Sequence, residues 1–246
     1  DNVSANPDAG VDYTHALTGI EDNDLTGIED DGVRYASWTY DEAGRATSSE
    51  HGEFGSGIDK VTLAYTPIDA NGDTVTTVTN PLGLNKTYNF STVLGVVRNT
   101  GMTINDPLCP GCNSATTYDA NGNVSSRTDF NGNKTCYAYD TTDGAAGRNV
   151  ELVRIEALSS SAVCPTDIQG FKDYQPSIAA GSVERKITTV WHASLRLPTA
   201  VAAPKLITSY VYNGDDVGGN PIHCAFADDG VTPATAVEGV LCSQTV

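Results

Sequence analysis

The stretch from Thr116 to Asp140, TTYDANGNVSSRTDFNGNKTCYAYD, returns to the same turn again and again. It carries Tyr-Asp at Tyr118-Asp119 and Tyr139-Asp140, with Asn-Gly-Asn triplets beginning at Asn121 and Asn131 between them. Asn-Gly and Asp-x-x-Gly supply the positive φ that tight hairpin turns require. Tyr118 to Tyr139 spans 21 residues and Tyr65 to Tyr88 spans 23, room for two short strands and two turns. Between turns the side chains alternate: Val75, Thr77 and Thr79 fall on one face, Thr76, Val78 and Asn80 on the other, the period of a strand. Tyrosines at matching places in successive strands are expected to stack as an aromatic ladder. Tyr40, Tyr118 and Tyr139 are therefore expected to be largely buried or stacked.

The theme recurs along the chain. RYASWTYDEAGR from Arg34 holds Trp38, Tyr40, Asp41, Gly44 and Arg45, LAYTPIDANGD from Leu63 holds Tyr65, and KLITSYVYNGDD holds Tyr210, Tyr212 and Asn213-Gly214. Leu-Thr-Gly-Ile-Glu-Asp occurs at Leu17 and Leu25, expected as two short strands around an acidic turn after a loosely structured stretch 1–16. NVELVRIEAL reads as a strand, followed by a Ser- and Pro-containing insertion. From Arg185 strand character returns, limited by Pro198 and Pro204, and from Asp215 onward the tail reads mostly as loop. This gives an acidic segment 1–31 that could serve as a donor strand, β-repeats over 32–145, an irregular insertion over 146–184, and a degenerate repeat with a disulfide-closed loop over 185–246.

Composition narrows the function. The 246 residues carry a formal charge of -17 with only 14 Lys and Arg. No basic cluster suits a phosphate backbone, and no apolar run of about 18 residues suits a membrane span. Neither nucleic-acid binding nor membrane insertion is expected. The chain begins at Asp1 rather than Met, as a processed protein or a piece of a longer one does. Six cysteines point to disulfides and an oxidising compartment. The expected pairs are Cys109–Cys112, Cys136–Cys164 and Cys224–Cys242, out of fifteen pairings open to six cysteines.

WTYDEAGR at Trp38–Arg45 resembles the Tyr-Asp-x-x-Gly-Arg core of Rhs/YD-repeat proteins, and residues 116–140 resemble two consecutive repeats. TNPLGLNKTYNF, with Asn80 where the family favours Asp and with Tyr88, is similar to an inter-repeat segment. ITSYVYNGDD is similar to a degenerate repeat, with Asn213 for Asp. The resemblance covers most of residues 25–215. It implies an all-β antiparallel sheet of hairpins coiling into an open solenoid or partial shell with loop-rich ends. The structural repeat positions it implies are Trp38, Tyr40, Asp41, Gly44, Arg45, Tyr65, Tyr88, Tyr118, Asp119, Gly122, Tyr139, Asp140 and Tyr212. Large members of the family enclose a toxic domain. This chain is short for a complete shell and lacks an Asp-Pro-x-Gly-Leu motif, which NPLGL from Asn80 approaches.

Little in the sequence suggests chemistry. His15, His51, His192 and His223 form no metal-spaced pair, and no G-x-S-x-G elbow occurs. WHASLRLP around His192 reads as strand beside Trp191. Asp69, Asn71 and Asp73 imitate the start of a calcium loop, as do Asp119 to Asn123, but the required Glu and flanking helices are missing. Turn chemistry accounts for these residues, and a solvated loop accounts for the acidic cluster Glu21–Asp31. No catalytic residue, metal or cofactor is expected. Sequons occur at Asn2, Asn85, Asn89, Asn123 and Asn133, with Asn85 and Asn123 the better-placed glycosylation candidates. The expected function is a non-catalytic module of an extracellular or cell-surface assembly, a fibre subunit or shell segment joined through sheet edges. The expected partners are further copies of itself or the rest of a longer Rhs chain. A shell segment of a polymorphic toxin and a glycan-binding adhesin are the alternatives.

Overall fold

The structure is a computed structural model. It describes residues 11–18, 22–30, 32–140, 149–226, 229–234 and 237–246. The chain divides into two units, Asp1–Ser114 and Ala115–Val246.

The first unit is a meander in which strands pair in the order they leave the sequence. Its strands are β1 (Val11–Thr18), β2 (Asp22–Asp30), β3 (Val33–Tyr40), β4 (Ala46–His51), β5 (Ile58–Tyr65), β6 (Asp73–Thr79), β7 (Asn85–Val93) and β8 (Val96–Asn105). Each is antiparallel to the next. Two of the turns that join them are chemically alike, and a third differs only in having Asn for Asp. In Asp41–Arg45 the Gly44 N–H donates to Asp41 O and the Asp41 N–H to Arg45 O, while Asp41 Oδ1 accepts from the N–H groups of Ala43 and Arg45. Asp69–Asp73 repeats this set, and so does Asn80–Leu84. The glycines lie at φ 73°, 84° and 79°. This is a type I turn closed by a left-handed residue, the three-residue hairpin loop. Asn80 replaces Asp without loss because the turn uses only a side-chain oxygen acceptor.

Beyond the turns, β5–β8 form one layer with unlike faces. The register aligns Tyr65, Thr76, Tyr88 and Met102 in one row, and Leu63, Val78, Lys86 and Ile104 in the next row of the same face. The opposite face carries Thr62, Thr79, Asn85 and Asn105, then Ala64, Thr77, Thr87 and Thr103. On the apolar face Leu63, Tyr65, Val78, Tyr88, Phe90, Met102 and Ile104 are all only half-buried. Among the described apolar residues of this unit, Ala36 alone is buried.

The second unit holds β9 (Asn113–Tyr118, starting at the boundary), β10 (Val124–Thr128), β11 (Asn133–Tyr139), β12 (Glu151–Ser159), α1 (Ile168–Asp173), β13 (Arg185–Trp191), β14 (Pro198–Ala203), β15 (Leu206–Tyr212), the small hairpin β16 (Asp216–Val217) and β17 (Asn220–Pro221), and β18 (Leu241–Thr245). β9 to β15 pair sequentially and β18 returns to pair with β15. Asp119–Asn123 and Asp129–Asn133 repeat the turn of the first unit. Here one sheet face is covered. Cys136, Ala138, Val153, Ile155 and Leu158 are buried with Phe171 of α1. Asp167 caps that helix by accepting from the Gly170 N–H, and Lys186 Nζ donates to the carbonyls of Lys172 and Tyr174 at its end.

The fold is all-β apart from α1, as expected. Two segments are more regular than the sequence suggests. Residues 11–16 belong to β1 and the C-terminal tail contributes β18, while NVELVRIEAL within 146–184 forms β12, the strand expected there. The donor-strand candidate pairs within the chain, with β1 on β2 and β2 on β3. Residues 1–10 and 19–21, where the acidic turn was expected, lie outside the described residues.

Candidate functional site

Aromatic residues end β3 (Tyr40), β5 (Tyr65), β9 (Tyr118), β11 (Tyr139), β13 (Trp191) and β15 (Tyr212). Several of these rings reach a backbone carbonyl near the start of the preceding strand. Tyr40 Oη donates to Leu25 O at 2.7 Å, Tyr65 to Ala46 O at 2.7 Å and Tyr212 to Pro198 O at 2.8 Å. Trp191 Nε1 donates to Glu151 O at 2.6 Å. The rings thus cover hairpin ends with their apolar bodies and satisfy a backbone acceptor with their polar tips. Tyr212 is buried, whereas Tyr40, Tyr118 and Tyr139 are half-buried. The ring contact made by Tyr139 is with Tyr137 on its own strand, centroids 6.5 Å apart. Burial, reinforced by the Glu151 charge, pushes the Tyr139 hydroxyl up to about 12. Tyr88 stands mid-strand in the row with Tyr65 and Met102, and Trp38 is half-buried in β3.

The acidic turn residues are occupied by backbone donors. The Arg45 N–H holds Asp41 below the ordinary carboxylate range, the Asp73 N–H does so for Asp69, and the Asn133 side-chain amide leads at Asp129. Their oxygens are spent on turn closure, and Asp140 joins Val150 and Asn149 by backbone bonds. Among the described residues no cluster of His, Cys, Asp or Glu has metal-binding geometry.

The sequence reading missed a second part of the repeat. Thr39 Oγ1 bonds both Thr47 Oγ1 at 2.8 Å and Ser48 Oγ at 2.6 Å. Thr117 Oγ1 does the same with Ser125 Oγ at 2.8 Å and Ser126 Oγ at 2.7 Å. In both places a register shift sets two residues of one strand against a single Thr of its neighbour, which is a β-bulge. Thr39–Ser48 and Thr117–Ser126 align as Thr-Tyr-Asp-x-x-Gly-x-x-Thr/Ser-Ser. That ten-residue pattern, identical at five positions, was the available signal.

His192 follows β13 rather than lying within it. Its Nε2 is 2.8 Å from Asp215 Oδ1, and its Nδ1 faces Ser194 Oγ at 3.3 Å. This superficially resembles a hydrolase triad. However, Nδ1 already accepts from the N–H groups of Ser194 and Leu195 at 3.2 and 3.1 Å, so its lone pair holds a turn in place and is not directed at the serine alone. Asp215 Oδ2 in turn accepts from the Tyr212 N–H. Asn213 is buried and saturated: it donates to Ala234 O and Val237 O and accepts from the N–H groups of Cys224 and Ala225.

The cysteines pair as expected, Cys109–Cys112, Cys136–Cys164 and Cys224–Cys242, with Cα separations of 5.5, 5.6 and 5.4 Å. Cys136–Cys164 fastens the α1 segment to β11. Of the two glycosylation candidates, Asn123 commits its amide to Asp119 and, reciprocally, to Asn149. Asn85 uses only its oxygen, accepting from Thr79.

A cavity of about 970 Å³ opens in the second unit between the Cys164–Lys172 segment and the faces of β9–β11. One side is apolar, with Ile168 and Phe171. The other presents the Thr117, Ser125 and Ser126 hydroxyls, with Asp119 and Asp167 also in the lining. A smaller cavity of about 480 Å³ is lined by Trp191, Arg154, Arg196 and Ile187, where Arg154 is bound to Glu151 and Glu156.

Neither family models nor curated proteins give a match to this chain.

Proposed function

We propose that this chain is a non-catalytic structural module of Rhs/YD-repeat type, which extends by sheet-edge pairing into a larger extracellular or cell-surface assembly. The reading rests on the half-exposed apolar face of β5–β8. A sheet face with Leu63, Tyr65, Val78, Tyr88, Phe90, Met102 and Ile104 half-open leaves apolar area unburied that adds to stability once covered. Added strands let a twisted sheet curl until such a face turns inward. Pairing sites exist at β1, which bonds only β2 among the described residues, and at β18, which bonds only β15. Such edges recruit further strands. Three cysteine pairs at bonding distance fit an oxidising compartment.

The added strands belong either to another copy or to a longer chain around this segment, as in the shell of a polymorphic toxin. Light scattering over a concentration series tests the first. The mass should rise above the monomer, and Phe90→Glu should lower it while raising the critical concentration. A strict monomer that binds no hydrophobic dye would sink both versions.

A further inference from the structure

The hydroxyl cluster at the β9–β10 bulge does more in the second unit than its twin does in the first. Ser48 of the Thr39 cluster is buried. Thr117, Ser125 and Ser126 instead line the large cavity beside the disulfide-anchored α1 segment. Each hydroxyl is one donor and two acceptors. The two bonds inside the cluster use two of its three O–H groups, which leaves one O–H and several lone pairs for a further partner.

The α1 segment contributes half-buried Ile168, which packs against the core cluster that holds Phe171. A site with a row of hydroxyls on one side and an apolar side chain on the other suits a ligand that is polar at its edge and apolar on its face. Pyranose rings have that character: equatorial hydroxyls at the rim, C–H groups on the faces. The volume lies within the range of small-ligand sites. Charge selects further. Asp119, Asp140 and Asp167 line the cavity against the single lining cation Lys172, in a chain of net charge -17, which disfavours anionic ligands.

We infer that the cavity between the Cys164–Lys172 segment and β9–β11 is a binding site for a neutral oligosaccharide. Thr117, Ser125 and Ser126 would hydrogen-bond the sugar hydroxyls, and the apolar Ile168 side chain would meet a ring face.

The repeat supplies its own control. Thr117→Val and Thr39→Val remove the same hydroxyl from equivalent bulges, but only the first lies in the cavity. The full oxidised chain is titrated by calorimetry and by amide NMR with cellohexaose, maltohexaose, chitohexaose, polygalacturonate and an extended decapeptide. At least one neutral hexasaccharide should bind tighter than about 10 mM, shifting resonances of β9, β10 and α1. Thr117→Val should weaken it about fivefold, the loss of one hydrogen bond, while Thr39→Val leaves it unchanged. The proposal fails if no neutral sugar binds, if only the polyanion or the peptide does, or if the two variants behave alike.

Discussion

The Arg45 guanidinium lies 4.5 Å from the centroid of the Tyr65 ring. The same guanidinium bonds Asp41 through both Nε and Nη2, at 2.8 and 2.7 Å. One side chain therefore joins the turn after β3 to the last residue of β5. Arg45→Ala should destabilise the protein by about 1 kcal/mol in urea unfolding, the range of an exposed cation–π contact with its ion pair. Arg45→Lys should recover only part, because a point charge cannot both stack and fork.

Asn80 and Asn213 occupy equivalent places in the repeat but have different duties. Asn80 only accepts, so Asn80→Asp should leave the melting temperature almost unchanged. Asn213 also donates to two carbonyls from a buried position. Asn213→Asp would set a carboxylate against those oxygens and should cost about 3 kcal/mol or more, read by calorimetry.

The disulfides should differ in worth. Cys136–Cys164 spans 28 positions and Cys109–Cys112 spans 3. On the chain-entropy estimate, replacing the first pair with serines costs about 3.6 kcal/mol and the second about 1.9 kcal/mol. Chemical unfolding of the two double variants gives the comparison, and an equal loss would refute it.

Acid should loosen the first unit at Glu50. Its side chain is almost wholly enclosed and accepts from the N–H groups of Gly55 and Gly57, which with Lys60 hold it below its ordinary 4.5. A carboxylate lowered by folding contributes stability that is complete above the unfolded value and lost as pH falls through the folded one. Melting temperature should therefore drop as pH is taken below about 4.5. Glu50→Gln should start lower at neutral pH and show a shallower decline.

Turn glycines should not be equivalent either. Gly83 has open space where a Cβ would stand, whereas at Gly72 that atom would lie 2.9 Å from Thr92 Cβ. Gly83→Ala should cost about 1 kcal/mol for its positive φ. Gly72→Ala should cost more, because Thr92 Cβ and Oγ1 both crowd the added atom, and the excess should shrink when the substitution is made in a Thr92→Gly background, which lacks both atoms, as read by thermal unfolding.

The turns were legible in the sequence because everything that makes them is local: an Asp or Asn oxygen, two nearby N–H groups and a glycine at positive φ. The cysteine pairs were legible through spacing within loops. Tyr40, Tyr118 and Tyr139 were expected at matching places in successive strands, buried or stacked; all three end strands and are half-buried, and Tyr139 stacks on Tyr137 of its own strand, since exposure depends on which layer covers a sheet and no periodicity encodes that. Phe171 and α1 were missed for the same reason. Six helical residues leave too short a pattern to read, and their stability comes from β11, β12 and a distant disulfide. The cavity was illegible as a whole, because Thr117 and Phe171 meet only in three dimensions.

Each Asp-x-x-Gly hairpin closes with five consecutive residues, and in the first unit every strand pairs with its immediate successor. Ring closure is therefore short-range throughout that unit, which favours rapid folding and lets hairpins form in order as the chain emerges from the ribosome. It also frees the gene from fixed length. A duplication or deletion of two strands with their turns restores the same register on either side, so relatives of this chain should differ by whole hairpins.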